Sequence, residues 1–414
     1  MSNTFNYVDW LTMEGLAILK NKLEVSRYFN KTYSKQYEKD FAVGGTIRVP
    51  KPQQFSIRDG LTYSAQALDK PTTTITMQAP FGVDFEWDSA EKALYMERGQ
   101  DGIRKNYLEP AMVKLAQEID SRCAQYAYLN TNNIVGVLGT DPTTLTPSAQ
   151  ARQRIYELAG TGSDMGLIIP PQVNTSLVPA FVTYFNPADA IAKQYRKGTI
   201  GTAQGFTWHE SMSLYDHTAG TWAGAVSVNT APTEGSSTIV LTCTTGDTFK
   251  AGDVISFASV YAINPQTGRI TTRGQTKQFV NLTDQTGAGS QVTLTVSPSF
   301  ISTGHYKNID SLPAAAATAT LFTGTASPSG KSGKQGLALS LGDGAGAFAL
   351  VGCKLELPTA VEVKSQTQDP ESGISVRFIR QWDNLNSRMT NRFDVMIGFG
   401  NLYPDSCAVR YLSA

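Results

Sequence analysis

"KAGDVISFASVYAINPQTGR", Lys250–Arg269, is the stretch on which the architecture turns. A Lys-Ala-Gly-Asp turn leads into an alternating run. Val254, Ser256, Ala258 and Val260 fall on one side, Ile255 and Phe257 on the other. Asn264-Pro265 and Thr267-Gly268 then close it as turn signals. A period of two bounded by turns reads as a strand of a β-module, and nothing in it offers chemistry. Its surroundings agree. Residues 224–335 are rich in Thr, Ser, Gly and Val and poor in helix formers, which predicts a separate small β-domain.

On either side the pattern changes. Residues 134–223 mix two helical stretches, "PSAQARQRIYELAG" and "PQVNTSLVPAFVTYF", with the buried-strand candidate "MGLIIP". That alternation indicates an α/β unit, and it resumes after Gly336 in "GAFALVGCKLELP". The expected body is therefore α/β, interrupted by the β-insert and then continued.

Further upstream, Trp87–Asn130 carries the longest helix. Asp88 and Glu91 are spaced as a capping box, Gly99 and Gly102 interrupt, and Pro110 suits a first turn. Met112, Leu115, Ile119, Cys123 and Tyr126 then recur at helical spacing to about Leu129. Before it, Thr46–Pro52 and Thr72–Trp87 read as a two-stranded extended arm. Ile75, Met77, Ala79, Phe81, Val83, Phe85 and Trp87 share one face of the second run. An isolated hairpin is marginal in water, so this one needs a surface to lie on. Residues 1–42 combine an amphipathic helix from about Asp9 with the aromatic residues Tyr28, Phe29, Tyr33, Tyr37 and Phe41. They read as an arm that binds along a neighbour. The chain closes with a long hairpin, Ile374–Gly400.

Composition bounds the function. Formal net charge is +0 and 41% of residues are apolar, so cores can form and the chain as a whole is not an electrostatic nucleic-acid binder. Four separated cysteines, Cys123, Cys243, Cys353 and Cys407, read as free thiols. No apolar run reaches the roughly 18 residues of a membrane helix. The opening residues lack the charged region and cleavage site of a signal peptide, so the chain is expected to stay where it is made.

Chemistry is hard to find. In "WHESMSLYDH" (Trp208–His217) Ser213 stands where a zinc-binding H-E-x-x-H motif needs histidine, so the group reads as surface polarity at an α/β edge. "GTASPSGKSGKQG" (Gly324–Gly336) has the wrong glycine spacing for a phosphate loop and reads as a linker leaving the insert. No nucleophile elbow occurs. The expectation is a chain that is not an enzyme, with no catalytic residue, no metal and no cofactor.

The order of elements resembles the major capsid proteins of tailed bacteriophages, the Hong Kong phage capsid fold or Johnson fold. Ala90–Leu129 looks like their spine-helix region, and Ile374–Leu412 is similar to their closing peripheral strands. Phe249–Asp284 resembles the insertion domain of Lederbergvirus-type coat proteins. The resemblance implies an α+β fold with an N-terminal arm (1–42), an extended β-loop (43–87) and a peripheral domain with the spine helix (88–133). An axial domain (134–223, returning over 336–370), an inserted β-barrel-like domain (224–335) and a peripheral β-hairpin (371–414) complete it. It further implies hexamers and pentamers of the same chain forming an icosahedral shell around double-stranded DNA. A scaffolding protein and a portal act during assembly, and there is no membrane partner. The expected location is the virion capsid, after assembly in the host cytoplasm. Trp10, Ile75, Met77, Phe81, Phe85, Trp87, Glu234 and Asp247 are the expected subunit-contact residues. Two departures are visible. The insert has only Glu234, Asp247 and Lys250 as charges in a stretch where relatives carry a longer charged loop. Where some relatives form a Lys–Asn isopeptide bond, Lys70 with Asn384 or Asn386 is the combination present, and the lysine reads as solvated surface. The alternative is another phage structural protein, a tail-tube or decoration component.

Overall fold

The computed structural model describes residues 7–34, 46–88, 104–160, 164–184, 201–222, 225–271, 275–322, 329–341 and 346–414, apart from a few single positions. Glu91 of the expected capping box, the helix interruptions at Gly99 and Gly102, the aromatic residues Tyr37 and Phe41, and Lys70 lie outside the described residues, while Asp88 ends a strand. Two compact units partition the chain.

One unit comprises 1–49, 72–122 and 348–401. It holds two four-stranded sheets. The first orders Thr46–Pro50, Thr72–Met77, Ile397–Asn401 and Phe348–Gly352. The second is an antiparallel meander of Val363–Gln368, Ser375–Asp383, Arg388–Val395 and Phe81–Asp88. Thr72–Trp87 is therefore not one strand. It breaks at Gln78–Pro80 and serves both sheets, because Pro80 has no amide to continue a ladder. The closing hairpin divides likewise at Met396. Ile397–Asn401 runs between two partner strands, and a Cβ on Gly398 or Gly400 would lie 2.5 Å from Met77 or Ile75.

The N-terminal segment also departs from expectation. The helix Tyr7–Lys22 packs on the meander, with Thr12 Oγ1 3.1 Å from the Ser365 hydroxyl. Leu19, Val25, Tyr28 and Phe29 are buried in this same chain. Phe29 stacks on Phe348 with centroids 5.5 Å apart, while Asn30 N–H donates to Phe348 O. The aromatic residues that suggested an arm along a neighbour are, up to Phe29, the chain's own core. The enclosed Asp120, on the long helix Glu109–Asn130, accepts from Glu24 N–H and Ser26 N–H and caps the short turn Val25–Tyr28. Burial raises its carboxyl pKa against those hydrogen bonds.

The other unit comprises 50–71, 123–347 and 402–414. Its mixed six-stranded sheet runs Ile134–Gly136, Ala408–Leu412, Gly336–Ser340, Met165–Ile169, Phe206–Glu210 and Thr202–Ala203. Helices Thr146–Glu157 and Pro171–Tyr184 cover it through a core that includes Ile155, Val173, Leu177, Leu167 and Tyr411. Residues 408–412 thus leave the expected hairpin for this sheet, and Phe348–Gly352 leaves the α/β return for a sheet of the first unit. The closing residues are buried at every position, Arg410 included, which suits an interior strand better than a half-solvated hairpin.

The β-insert closes into a six-stranded antiparallel barrel of Val226–Thr230, Thr238–Thr242, Val254–Tyr261, Thr276–Asn281, Gln291–Ser297 and Thr318–Leu321. Phe257, Phe279 and Phe300 fill its interior, with Phe279 and Phe300 4.6 Å apart between centroids. Alternation in Val254–Tyr261 does not run unbroken. Its pairing with Thr276–Asn281 shifts between Ser256 and Tyr261, where Ser259 takes φ +62°, so Ala258 and Ser259 turn outward together. Ser332–Lys334, expected as a linker, is a strand paired with Asp216–Thr218.

Candidate subunit-contact surfaces and the barrel root

Three places in the fold combine exposure or polarity with defined geometry. The first is the meander. One of its faces carries a cross-strand row Trp382–Met389–Trp87, with Phe85 beside it. Deeper along the same face, Val376, Phe378, Phe393 and Val395 are buried, whereas Trp382 and Met389 remain partly exposed. The opposite face is ionic. Arg388 Nη1 lies 2.6 Å from Glu86, Arg392 Nε 2.6 Å from Asp394 and 3.8 Å from Asp84, and Arg377 Nη2 2.6 Å from Asp394. The neighbouring carboxylates hold the Arg392 guanidinium above its ordinary pKa, Asp394 contributing most. A groove of about 570 Å³ opens there between Asp84, Glu86, Val361, Ile379 and Arg392.

The second is the irregular segment 51–71. Phe55, Ile57, Leu61, Tyr63 and Leu68 are all exposed, Leu61 at 99% and Ile57 at 91%. Clustered exposed apolar side chains of this size mark interaction surfaces. Leu385, at the tip of the long hairpin, is exposed at 93%.

The third is the root of the barrel, built entirely within the second unit. Lys277, 1% exposed on a barrel strand, places Nζ 2.6 Å from both oxygens of Asp405. Asn132, just past the long helix, donates to Asp405 Oδ1 and to Gln278 O. Gln278 Oε1 in turn accepts from Ile134 N–H. Nearby, Asp253 is fully enclosed. It accepts from the amides of Gly220 and Lys250, and His217 Nε2 lies 2.9 Å from Oδ1. Arg410 stacks on Tyr128 at 4.0 Å and donates to Gly252 O. Desolvation lowers the Arg410 pKa and raises that of Tyr128. On the far side of the barrel, Asn264 accepts from Gln266 and Thr267 amides and donates to Glu157 O at the end of a sheet-covering helix. These groups can fix the orientation of the barrel on the sheet. Among the described residues no group of His, Cys, Asp and Glu is placed to hold a metal.

The expected contact residues fall differently. Ile75 is fully buried beneath the chain's own sheet and is not free to meet a neighbour, because Gly400 opposite leaves its side chain inside. Met77 is half-buried against Gly398. Phe81 lies under Arg122, 3.9 Å from its guanidinium, and Phe85 stacks with Phe393. Trp87 pairs in register with Met389 on the meander, and Trp10 lies on the N-terminal helix. Glu234 is turned onto its own barrel, accepting from the amides and hydroxyls of Ser302 and Thr303, and those bonds, Ser302's first, lower its pKa. Asp247 is buried and accepts from Thr244 N–H within a turn. The lysine of that stretch, Lys250, pairs with Asp284 at 3.0 Å.

His217 corrects the sequence reading of Trp208–His217 as surface polarity, being 3% exposed and paired. The root residues Lys277, Asp405, Arg410 and Asn132 escaped sequence reading. The one signal is Arg410, an arginine inside the otherwise apolar strand Ala408–Leu412.

The family model described as "P22 coat protein - gene protein 5" matches residues 23–411. No curated protein sequence matches the chain. Among solved structures, one from Mycobacterium phage Che8 aligns over 94% of this chain and 90% of its own at 12% identity and TM-score 0.49. The mature capsid of bacteriophage PhiM1 aligns over 90% and 82% at 10% identity and TM-score 0.41. A virus-like particle from Pyrococcus furiosus aligns over 98% and 99% at 9% identity and TM-score 0.41.

Proposed function

Because the chain belongs to the P22 coat protein family, matched from residue 23 to residue 411, we propose that it closes into an icosahedral shell as hexamers and pentamers of itself. It is a major capsid protein, a structural component of the virion that associates with its own copies. In this reading the shell is first built on a scaffolding protein in the host cytoplasm, takes a portal at one vertex, and encloses double-stranded DNA. The chain has no catalytic step to perform.

The observation that carries the contact assignment is the string Phe55, Ile57, Leu61, Tyr63 and Leu68, exposed without a partner surface in the single chain. Burying such residues between copies supplies about 25 cal/mol per Å² of apolar area, so assembly and apolar burial are coupled. Trp87, Met389 and Trp382 form the second contact row, and Phe81, Phe85 and Met77 stay as secondary candidates in the first unit, with Trp10 on its N-terminal helix. Glu234 and Asp247 act within the barrel. Near-zero net charge limits mutual repulsion among many copies.

Co-expression with the scaffolding protein tests the proposal by electron microscopy. Closed shells of uniform diameter are expected; only monomers or open rings would sink it.

A further inference from the structure

Arg410 is fully enclosed at the barrel root, and two of its nitrogens meet no protein acceptor. Nη1 donates to Gly252 O, and the guanidinium lies flat over Tyr128. The orphans are Nε and Nη2, which share one edge of the planar group, so their N–H bonds leave it side by side and nearly parallel.

The obvious protein acceptor is already committed. Asp253 gives its oxygens to His217 Nε2 and to the amides of Gly220 and Lys250. Buried donors in folded proteins are almost always satisfied, by ordered water where protein groups do not reach. One water oxygen set before that edge can bridge both donors and pass its own protons on to carbonyls nearby. Asp253 already acts electrostatically on the Arg410 guanidinium, so the fork lacks an acceptor rather than a counter-charge.

We infer that an ordered water molecule is held at the barrel root by Nε and Nη2 of Arg410, so that solvent is built into the joint between barrel and sheet. The site would take a neutral acceptor of one oxygen atom and no anion.

The test is a map of the full chain, as crystals or assembled shells, at about 2 Å or better. A solvent peak within about 2.7–3.2 Å of both nitrogens is expected. Both nitrogens bonded directly to protein, with no peak, would overturn the inference. So would an anomalous signal at the fork after bromide replaces chloride. Arg410→Lys removes the fork while keeping the charge. The peak should vanish and Tm should fall by about 2–4 °C, the shift expected when one hydrogen-bonded group is lost from a unit of this size. A retained peak in that variant would assign the water to other groups and overturn the role given to Arg410. Should the variant not fold, the wild-type map alone decides.

Discussion

Lys277 and Asp405 show what single residues do here. A lysine with 1% of its side chain exposed is tolerable only because both carboxylate oxygens of Asp405 face its ammonium. Removing one partner strands the other. Asp405→Asn leaves the charge of Lys277 buried and should cost about 3–5 kcal/mol in urea unfolding. Lys277→Met should cost less, since the side chain of Asp405 is 30% exposed and water reaches it. If the two variants lose equal stability, or none, the pair does not anchor the barrel. Asp120 makes a pH prediction. Its folded pKa is raised by burial, so the ionised form is the disfavoured one in the native state. Its ionisation costs stability as pH climbs through the ordinary carboxylate value to the raised one. Acidification back through that window should therefore stabilise the wild type relative to Asp120→Asn. Tm measured for both across that range checks it, and parallel curves would refute it. Glu234 has the opposite sign. Its pKa is lowered, so its bonds to Ser302 and Thr303 contribute above the ordinary value and are lost as pH falls through the lowered one.

Elements explain which features could be read from the chain and which could not. The barrel was legible because turn residues bracket each strand and its alternation is local. Gly252 is one such residue, at φ +95° with a virtual Cβ 3.1 Å from Tyr128, 3.2 Å from Leu129 and 3.3 Å from His217. Gly252→Ala therefore combines a left-handed backbone with a crowded joint and should cost about 1–3 kcal/mol. Unchanged denaturation midpoints would show that the turn relaxes freely. The long helix Glu109–Asn130 was legible from its apolar spacing, and its end at Asn130 lies one residue past the expected Leu129. Sheet membership was not legible. Thr72–Trp87 alternates smoothly through Pro80, yet its halves pair with Ile397–Asn401 and with Arg388–Val395. Alternation records which face is apolar, and carries no information about the partner strand. The same gap hid His217 and Arg410. Their partners Asp253, Gly252 and Tyr128 are distant in sequence, and a lone polar residue in an apolar run does not announce who satisfies it.

For the whole molecule, the coat-protein reading predicts a separation between folding and association. Ile57→Asp with Leu61→Asp touches only exposed positions, so unfolding of the isolated subunit should shift by no more than about 0.5 kcal/mol. Shell yield by sedimentation should drop sharply; normal yield would remove segment 51–71 from the contact surface. Excising residues 226–321 should do the reverse and damage the subunit itself. Ile134 N–H, Asp405, Asn132 and Arg410 would each lose a barrel partner. A well-folded excised body by circular dichroism and thermal melt would show the joint to be dispensable. The six-stranded sheet carries one more consequence. Ala408–Leu412 lies between Ile134–Gly136 and Gly336–Ser340, bonded to both. The barrel's last strand ends at Leu321, well before that strand is synthesised. A chain still emerging from the ribosome can complete its barrel early, while the sheet waits, with a gap beside its edge strand Ile134–Gly136, for residues made much later. Translation thus sets a clock: the body becomes whole only once residues 408–412 clear the exit tunnel, so half-made chains on crowded polysomes lack the finished body that would let them join one another too soon.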